Sequence, residues 1–343
     1  MVEVKEKSRL FMDIFSGIAV SMLIIFITLY LPVLGFFMAV ILPMPILYFR
    51  LKLGRKPGAF IMLAVFIITF IAAYEFSDAA GSLSELSSKI PETGRLYLSV
   101  DMLFYGAFLL TGFFLGEFLE QRISIEKSFV YTLISTIGIC SAGFFLYAGS
   151  TGQEALSIVS GYVDDNLKLA LTLYESMGMT PENIEMISAS IQIIRYVLIR
   201  VIPGILVSML AFVVWVNTLF IKKILDKKGI LLKALQNLNR WRAPEHIVWV
   251  VIVLGVLMLI PGKEIKIIAF NLIMILMPIY FFQGIAVISF IFEQKNVPAL
   301  LKISIYSIIA IQQILVLAIV GLGFFDTWMN FRKIGVISNS DEH

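Results

Sequence analysis

Apolar runs of 18 or more residues recur from one end of this 343-residue chain to the other. That property decides what the chain can fold into. A run of that length crosses the ~30 Å hydrocarbon core as a helix, whose peptide groups pair with one another where no water can serve them. A β-barrel is not expected, since it would show short alternating segments and not solid apolar blocks. Charged residues make up 15% of the chain, against about a quarter in soluble domains. The expected fold is therefore an all-α polytopic integral membrane protein.

Spans are expected at roughly 10–31, 33–49, 59–74, 101–119, 129–149, 196–221, 247–261, 266–291 and 303–325. Pro32 separates the first two, because the residue before proline is pushed out of helical geometry; 10–49 then reads as a tight hairpin. The segment 247–261 is short and ends at Pro261-Gly262, so the count is eight or nine, in one membrane domain over 1–343. The start, "MVEVKEKSRLFMDIF", leads into an apolar run without a small-residue cleavage site and reads as a retained first helix. Cys140 is the one cysteine, so no disulfide forms within a chain.

Basic residues mark one side. Alternate loops hold Lys5, Lys7 and Arg9; Arg50, Lys52, Arg55 and Lys56; Arg122 and Lys127; and the cluster Lys222, Lys223, Lys227, Lys228, Lys233, Arg240 and Arg242. By the positive-inside rule this side is cytoplasmic and includes the N-terminus. With nine spans, Arg332 and Lys333 fall on the other side. The outer segments 75–100 and 150–190 are acidic, with Glu75, Asp78, Glu85 and Glu92 in the first, and Asp164, Asp165 and Glu175 in the second.

Residues 150–190 read as an outer amphipathic helical insertion. Val163, Leu167, Ala170, Leu171 and Tyr174 fall on one helical face, Gly178 stops that helix, and Thr180-Pro181 starts another. Two roles fit: a solvated lid on the outer surface, or a cap that gates a substrate or docks a partner. Residues 222–246 read as a basic cytoplasmic amphipathic loop, with Leu231, Leu232, Leu235 and Leu238 toward the apolar boundary and Lys233 and Arg240 toward anionic headgroups. Such a loop anchors to the membrane surface or docks a cytoplasmic partner.

Motifs of soluble chemistry are missing. No P-loop, H-E-x-x-H, C-x-x-C or G-x-S-x-G occurs, and Asp13, Asp101 and Asp326 all fall near span ends. No enzyme, cofactor, metal or nucleic-acid partner is expected. The candidates that remain are polar or helix-breaking residues inside spans, where such groups are costly and often functional. Arg200 is deep and followed by Pro203-Gly204, where a broken helix would open backbone groups to a cavity. Arg200 either meets an anionic ligand or serves as a structural pair or snorkelling side chain. In "NLIMILMPIYFFQGIAVISF", residues 271–290, Asn271, Gln283 and Gly284 are ligand candidates and Pro278 a helix break. Asn271 and Gln283 lie about 120° apart on a straight helix, so one shared site needs a kink. Gly112-xxx-Gly116 is read as a close helix crossing, and Asn217, Gln192, Gln312 and Gln313 as interhelical bonding groups.

These features in this order resemble the YybS-like family of bacterial multi-pass membrane proteins. The resemblance rests on "LPVLGFFMAVILPMPILYFRLKLGRKPGA" (31–59), "WRAPEHIVW" (241–249) and the 271–290 stretch. It implies a bacterial cytoplasmic membrane and names no reaction. The N-terminal region is also similar to the substrate-capture subunits of energy-coupling-factor vitamin transporters. These have a proline-interrupted first hairpin and a basic loop after Pro-x-Pro, matched here by Pro32, Pro43-Met44-Pro45 and Leu51-Lys52-Leu53-Gly54. That similarity implies a small-molecule-binding fold that borrows ATPase subunits from other chains. Capture subunits usually have fewer spans and an Ala-xxx-Ala coupling surface, where this first span offers Gly17-xxx-Ser21. Two functions follow: small-molecule binding or transport around Arg200, Asn271 and Gln283, or a non-transporting scaffold or regulator that holds a partner through its loops.

Overall fold

The computed structural model describes residues 2–83, 94–121, 123–230, 232–236 and 238–332. The described residues form α-helices and no strand, in the order α1 (Val2–Tyr30), α2 (Pro32–Ile41), α3 (Pro43–Leu53), α4 (Arg55–Leu83), α5 (Gly94–Glu120), α6 (Ile125–Thr151), α7 (Ala155–Ser176), α8 (Pro181–Lys227), α9 (His246–Leu257), α10 (Lys263–Gln294), α11 (Ala299–Ile311) and α12 (Gln313–Met329). Six of them are long and apolar enough to cross a bilayer, or seven crossings if α11 and α12 are one bent span. This is fewer than the eight or nine expected. Three of the expected spans account for the difference.

The expected span 33–49 is two helices of 10 and 11 residues, because Pro43 starts a new helix at its first position. The α9 helix has 12 residues, about 18 Å at ~1.5 Å each. The expected span 303–325 is split at Gln312, whose backbone is extended (φ −96°, ψ 104°), and its halves bend by 106°.

The chain divides into two compact units. Unit 1 is Met1–Ile199 with Val213–Ala234, and unit 2 is Arg200–Phe212 with Leu235–His343.

In unit 1, small residues let backbones approach. A Cβ on Gly112 would lie 2.3 Å from the Pro43 carbonyl oxygen, and one on Gly116 would lie 2.8 Å from Arg50 Cγ. The Gly112-xxx-Gly116 face of α5 therefore packs on α3, as its spacing suggested. Gly58 of α4 closes the slot, since a Cβ there would sit 2.9 Å from Arg50 Cα. Arg50 is 2% exposed and pairs with Glu117 at 2.6 Å and Glu120 at 2.8 Å. Glu117 of α5 thus answers this buried guanidinium. Asn217 of α8 is fully buried and donates to the Val40 and Val213 carbonyls, each at 2.8 Å. That is one of the interhelical bonds expected.

The 150–190 region has the local structure its residues dictate. Gly152 (φ +66°) ends α6, and Gln153 N–H closes on the Ala148 carbonyl at 3.2 Å. In α7, Val163 is buried, Leu167 and Leu171 are half-buried, and Tyr174 is exposed. Gly178 (φ +77°) follows α7, and Pro181 takes the first position of α8. The helix that starts there does not stop before the expected span at 196–221. It runs on for 47 residues, about 70 Å at ~1.5 Å per residue. Arg195 Nε and Nη2 grip Asp164 of α7 in a bidentate pair, the second bond at 3.0 Å. The acidic side chains of 75–100 lie outside the described residues.

The 222–246 segment is not one helix. After α8 it turns at Gly229 (φ +69°) and forms short 3₁₀ turns at Lys233–Leu235 and Leu238–Arg240. Leu235 and Leu238 are buried within the protein and do not face outward, whereas Lys223, Lys227 and Lys228 are exposed.

Two outcomes test these contacts. Gly112→Ala should cost about 1–3 kcal/mol by overpacking against a backbone that cannot yield, while Gly138→Ala, which meets nothing within 4 Å, should be neutral. Thermal unfolding in detergent reads both. The hydrogen bonds from Arg195 hold the Asp164 carboxyl below its usual range. The pair's contribution is thus complete above the ordinary carboxylate pKa of about 3.9 and is lost as pH falls through the lowered value. Asp164→Asn should remove that acid-side dependence, measured as cleavage of the α7 segment by a protease active at low pH.

Candidate functional site

Asn271 and Gln283 of α10 are both held by neighbours within unit 2. Proline at 203 has no N–H and crowds the preceding turn of α8, weakening the backbone ladder there. Asn271 fills in. Its Oδ1 accepts from Gly204 N–H at 2.8 Å, and its Nδ2 donates to the Arg200 carbonyl at 2.9 Å and the Ile267 carbonyl at 2.8 Å. Both amide hydrogens are used. The approach depends on glycine, because a Cβ at Gly204 would lie 2.5 Å from that Oδ1. Arg200 contributes its carbonyl to this clip, and its side chain is exposed.

The helix-break candidates do not break. α8 continues helically through Pro203, and α10 through Pro278. Beside Pro203, the Gly204 N–H and the Arg200 carbonyl are bonded by a side chain from α10. Gly284 marks where two backbones touch: a Cβ there would lie 2.1 Å from the Ile319 carbonyl oxygen, and one on Gly323 would lie 1.9 Å from that of Tyr280. Gly323 carries no spacing motif that marks it for close packing, since Gly321, two residues away, faces open space.

Next to Gly284, Gln283 enters a buried polar seam. Only 1% exposed, it accepts from Ala243 N–H at 3.1 Å and donates to Asp326 Oδ2 at 3.2 Å. Asp326 also takes Arg332 Nη2 at 2.6 Å and Phe331 N–H at 3.1 Å, with Arg242 Nε 3.7 Å away. Arg332 Nη1 donates to the carbonyls of Asn239 at 3.0 Å and Trp241 at 2.9 Å. Asn330, left-handed at φ +43°, ends α12 and turns the chain so that Arg332 folds back; its side chain accepts from Arg242. Burial lowers the Arg332 guanidinium from its ordinary value, opposed by Asp326, yet an arginine keeps its charge. Asp326 had been read as a span-end group and Arg332 as a residue beyond the last span. They form the most buried ion pair of this unit, both side chains at 0% exposure.

Asn271 and Gln283 thus serve separate places, one on α8 and the other on the 239–243 loop and α12. Among the described residues, no three of His, Cys, Asp and Glu gather as metal ligands. A family profile for membrane proteins matches residues 19–80 and 96–327. The chain belongs to the family described as "Predicted membrane protein (DUF2232)". This DUF2232 chain is accordingly membrane-embedded, multi-pass and helical. No curated protein and no solved structure matches it.

Arg332→Met should cost about 3–5 kcal/mol, because it leaves Asp326 as a buried, poorly compensated charge. Adding Asp326→Asn should recover most of that loss. Gln283→Ala should lower the yield of folded protein. Fluorescence-detected size exclusion with a thermal ramp measures all three.

Proposed function

We propose that this DUF2232 protein is a non-transporting membrane scaffold or regulator, which holds a partner through its extramembrane segments. The observation that carries this reading is the internal use of the polar candidates of the 271–290 stretch. Asn271, Gln283 and Gly284 are engaged by α8, by the 239–243 loop and by α12, so these three are committed to packing rather than to a solute. The proposal places the chain in a bacterial cytoplasmic membrane with its N-terminus inside. The exposed Lys223, Lys227 and Lys228 then face the cytoplasm and offer charge to an acidic partner protein. No reaction is proposed for it.

A second reading, small-molecule binding or transport, has specific support. Helices interrupted at membrane depth build solute sites in transporters, and α11–α12 bends by 106° at Gln312. The lower count of long helices also moves toward that of the capture subunits, and with the YybS-like resemblance keeps that kinship in play, with ATPases supplied by other chains. Against energy coupling stands the first span. A Cβ on Gly17 would lie 3.0 Å from the Ile61 and Phe49 side chains, and Ser21 is fully buried, so the Gly17-xxx-Ser21 face is used internally.

Affinity purification in mild detergent, with mass spectrometry of bound proteins and metabolites, separates the two. The scaffold reading expects a near-stoichiometric protein partner other than an ATPase, lost when Lys223, Lys227 and Lys228 are changed to Glu, and no retained solute. Co-purifying ATPase subunits or a tightly held metabolite would overturn it in favour of transport.

A further inference from the structure

In unit 2, α10 and α12 run in the same direction. Ile273 and Leu317 line one groove, Tyr280 lies against Phe324 with ring centroids 5.3 Å apart, and Gln283 meets Asp326 at 3.2 Å. Residue numbers therefore rise together along both helices. The two helices also finish at one loop. Asn239 donates its side-chain amide to Glu293, one residue before the end of α10, and its carbonyl accepts from Arg332, three residues beyond α12. Residues 299–329, taken as one crossing, would leave the membrane on the face opposite the end of α10. The contacts at Asn239 bring them back to the same face.

The return begins at the end of α10. Asn296 (φ +48°) stops that helix, Val297 N–H closes on the Phe292 carbonyl at 3.0 Å, and Pro298 leads into α11. α11 folds back beside α10, with the Tyr306 and Phe292 ring centroids 5.7 Å apart. Its 13 residues make about 20 Å, short of a ~30 Å hydrocarbon core. At Gln312 the path turns by 106°. A broken span that still crosses keeps the sense of its path, whereas a turn beyond a right angle reverses it along the axis of α12. Gln312 and Gln313 stand at this turn with exposed side chains. We propose that α11 and α12 form a re-entrant hairpin. It enters and leaves on the side of the 239–243 loop and carries Gln312-Gln313 at a tip inside the membrane. Arg332 and Lys333 then share a face with Arg240, Arg242 and Lys295, in keeping with the clustering of basic residues on one side. The hairpin goes beyond the scaffold reading and does not depend on it.

Cysteine accessibility tests the hairpin in the full chain, with Cys140→Ser as background. Single cysteines are introduced as Lys263→Cys, Lys295→Cys or Gln313→Cys, all at exposed positions, or appended after His343. A membrane-impermeant maleimide is applied to right-side-out and to inverted membrane vesicles, and size exclusion in detergent checks that each variant is folded. Lys295→Cys and the appended cysteine should label from the same side, and Lys263→Cys, at the other end of α10, from the opposite side. Gln313→Cys should resist the reagent applied on the Lys263 side. Labelling of Lys295→Cys and the appended cysteine from opposite sides would mean a single bent span. Labelling of Gln313→Cys from the Lys263 side would make α11 a complete crossing. Either result overturns the hairpin.

Discussion

A peptide group without a partner in hydrocarbon costs several kcal/mol, and the fold of this chain answers that constraint repeatedly. Proline at 203 weakens the ladder of α8, and an asparagine from another helix takes over the exposed N–H and carbonyl. The 239–243 loop has no helix to satisfy its carbonyls, and Arg332 reaches back to two of them. Buried polar side chains here act mainly as substitutes for missing backbone bonds.

Close approach is the second half of the same design. A side-chain amide can bridge to a neighbouring backbone only when the helices nearly touch, and glycine permits that at 204, as it does at 284 and 323. In unit 1 the glycines at 58 and 116 play a different part. They make room for the stem of Arg50, so that its guanidinium reaches Glu117 and Glu120. A buried pair of this kind adds little net stability compared with apolar packing, but losing one partner is severe. It therefore fixes which helices pair more than how strongly they do so.

The sequence made local events legible. Pro32 ended a helix, Gly178 and Pro181 bracketed the turn between α7 and α8, and the spacing of Gly112 and Gly116 foretold a crossing. Each is encoded within a few residues. What stayed hidden depended on partners far along the chain. Nothing in "IAIQQIL" announces the break at Gln312, since neither proline nor glycine is present. Asp326 looked like a residue near water until Arg332 and Gln283 were seen to enclose it. Asn271 and Gln283 were picked out as unusual in a span, and they are. Their chemistry was readable but their recipients were not, and a residue that binds a ligand has the same sequence signature as one that binds a neighbouring helix.

The clip at Asn271 also has a consequence in time. Its recipients, Arg200 and Gly204, are synthesised long before it, with Gly204 preceding Asn271 by 67 residues. At ribosomal rates of about 5–20 residues per second, the strained turn at Pro203 waits several seconds for its amide. During that interval unit 1 receives its last piece, Val213–Ala234, while the Arg200–Phe212 piece of unit 2 has nothing yet to fold with. Nascent α8 thus passes through a stage in which one part of it is settled and the adjoining part is still open.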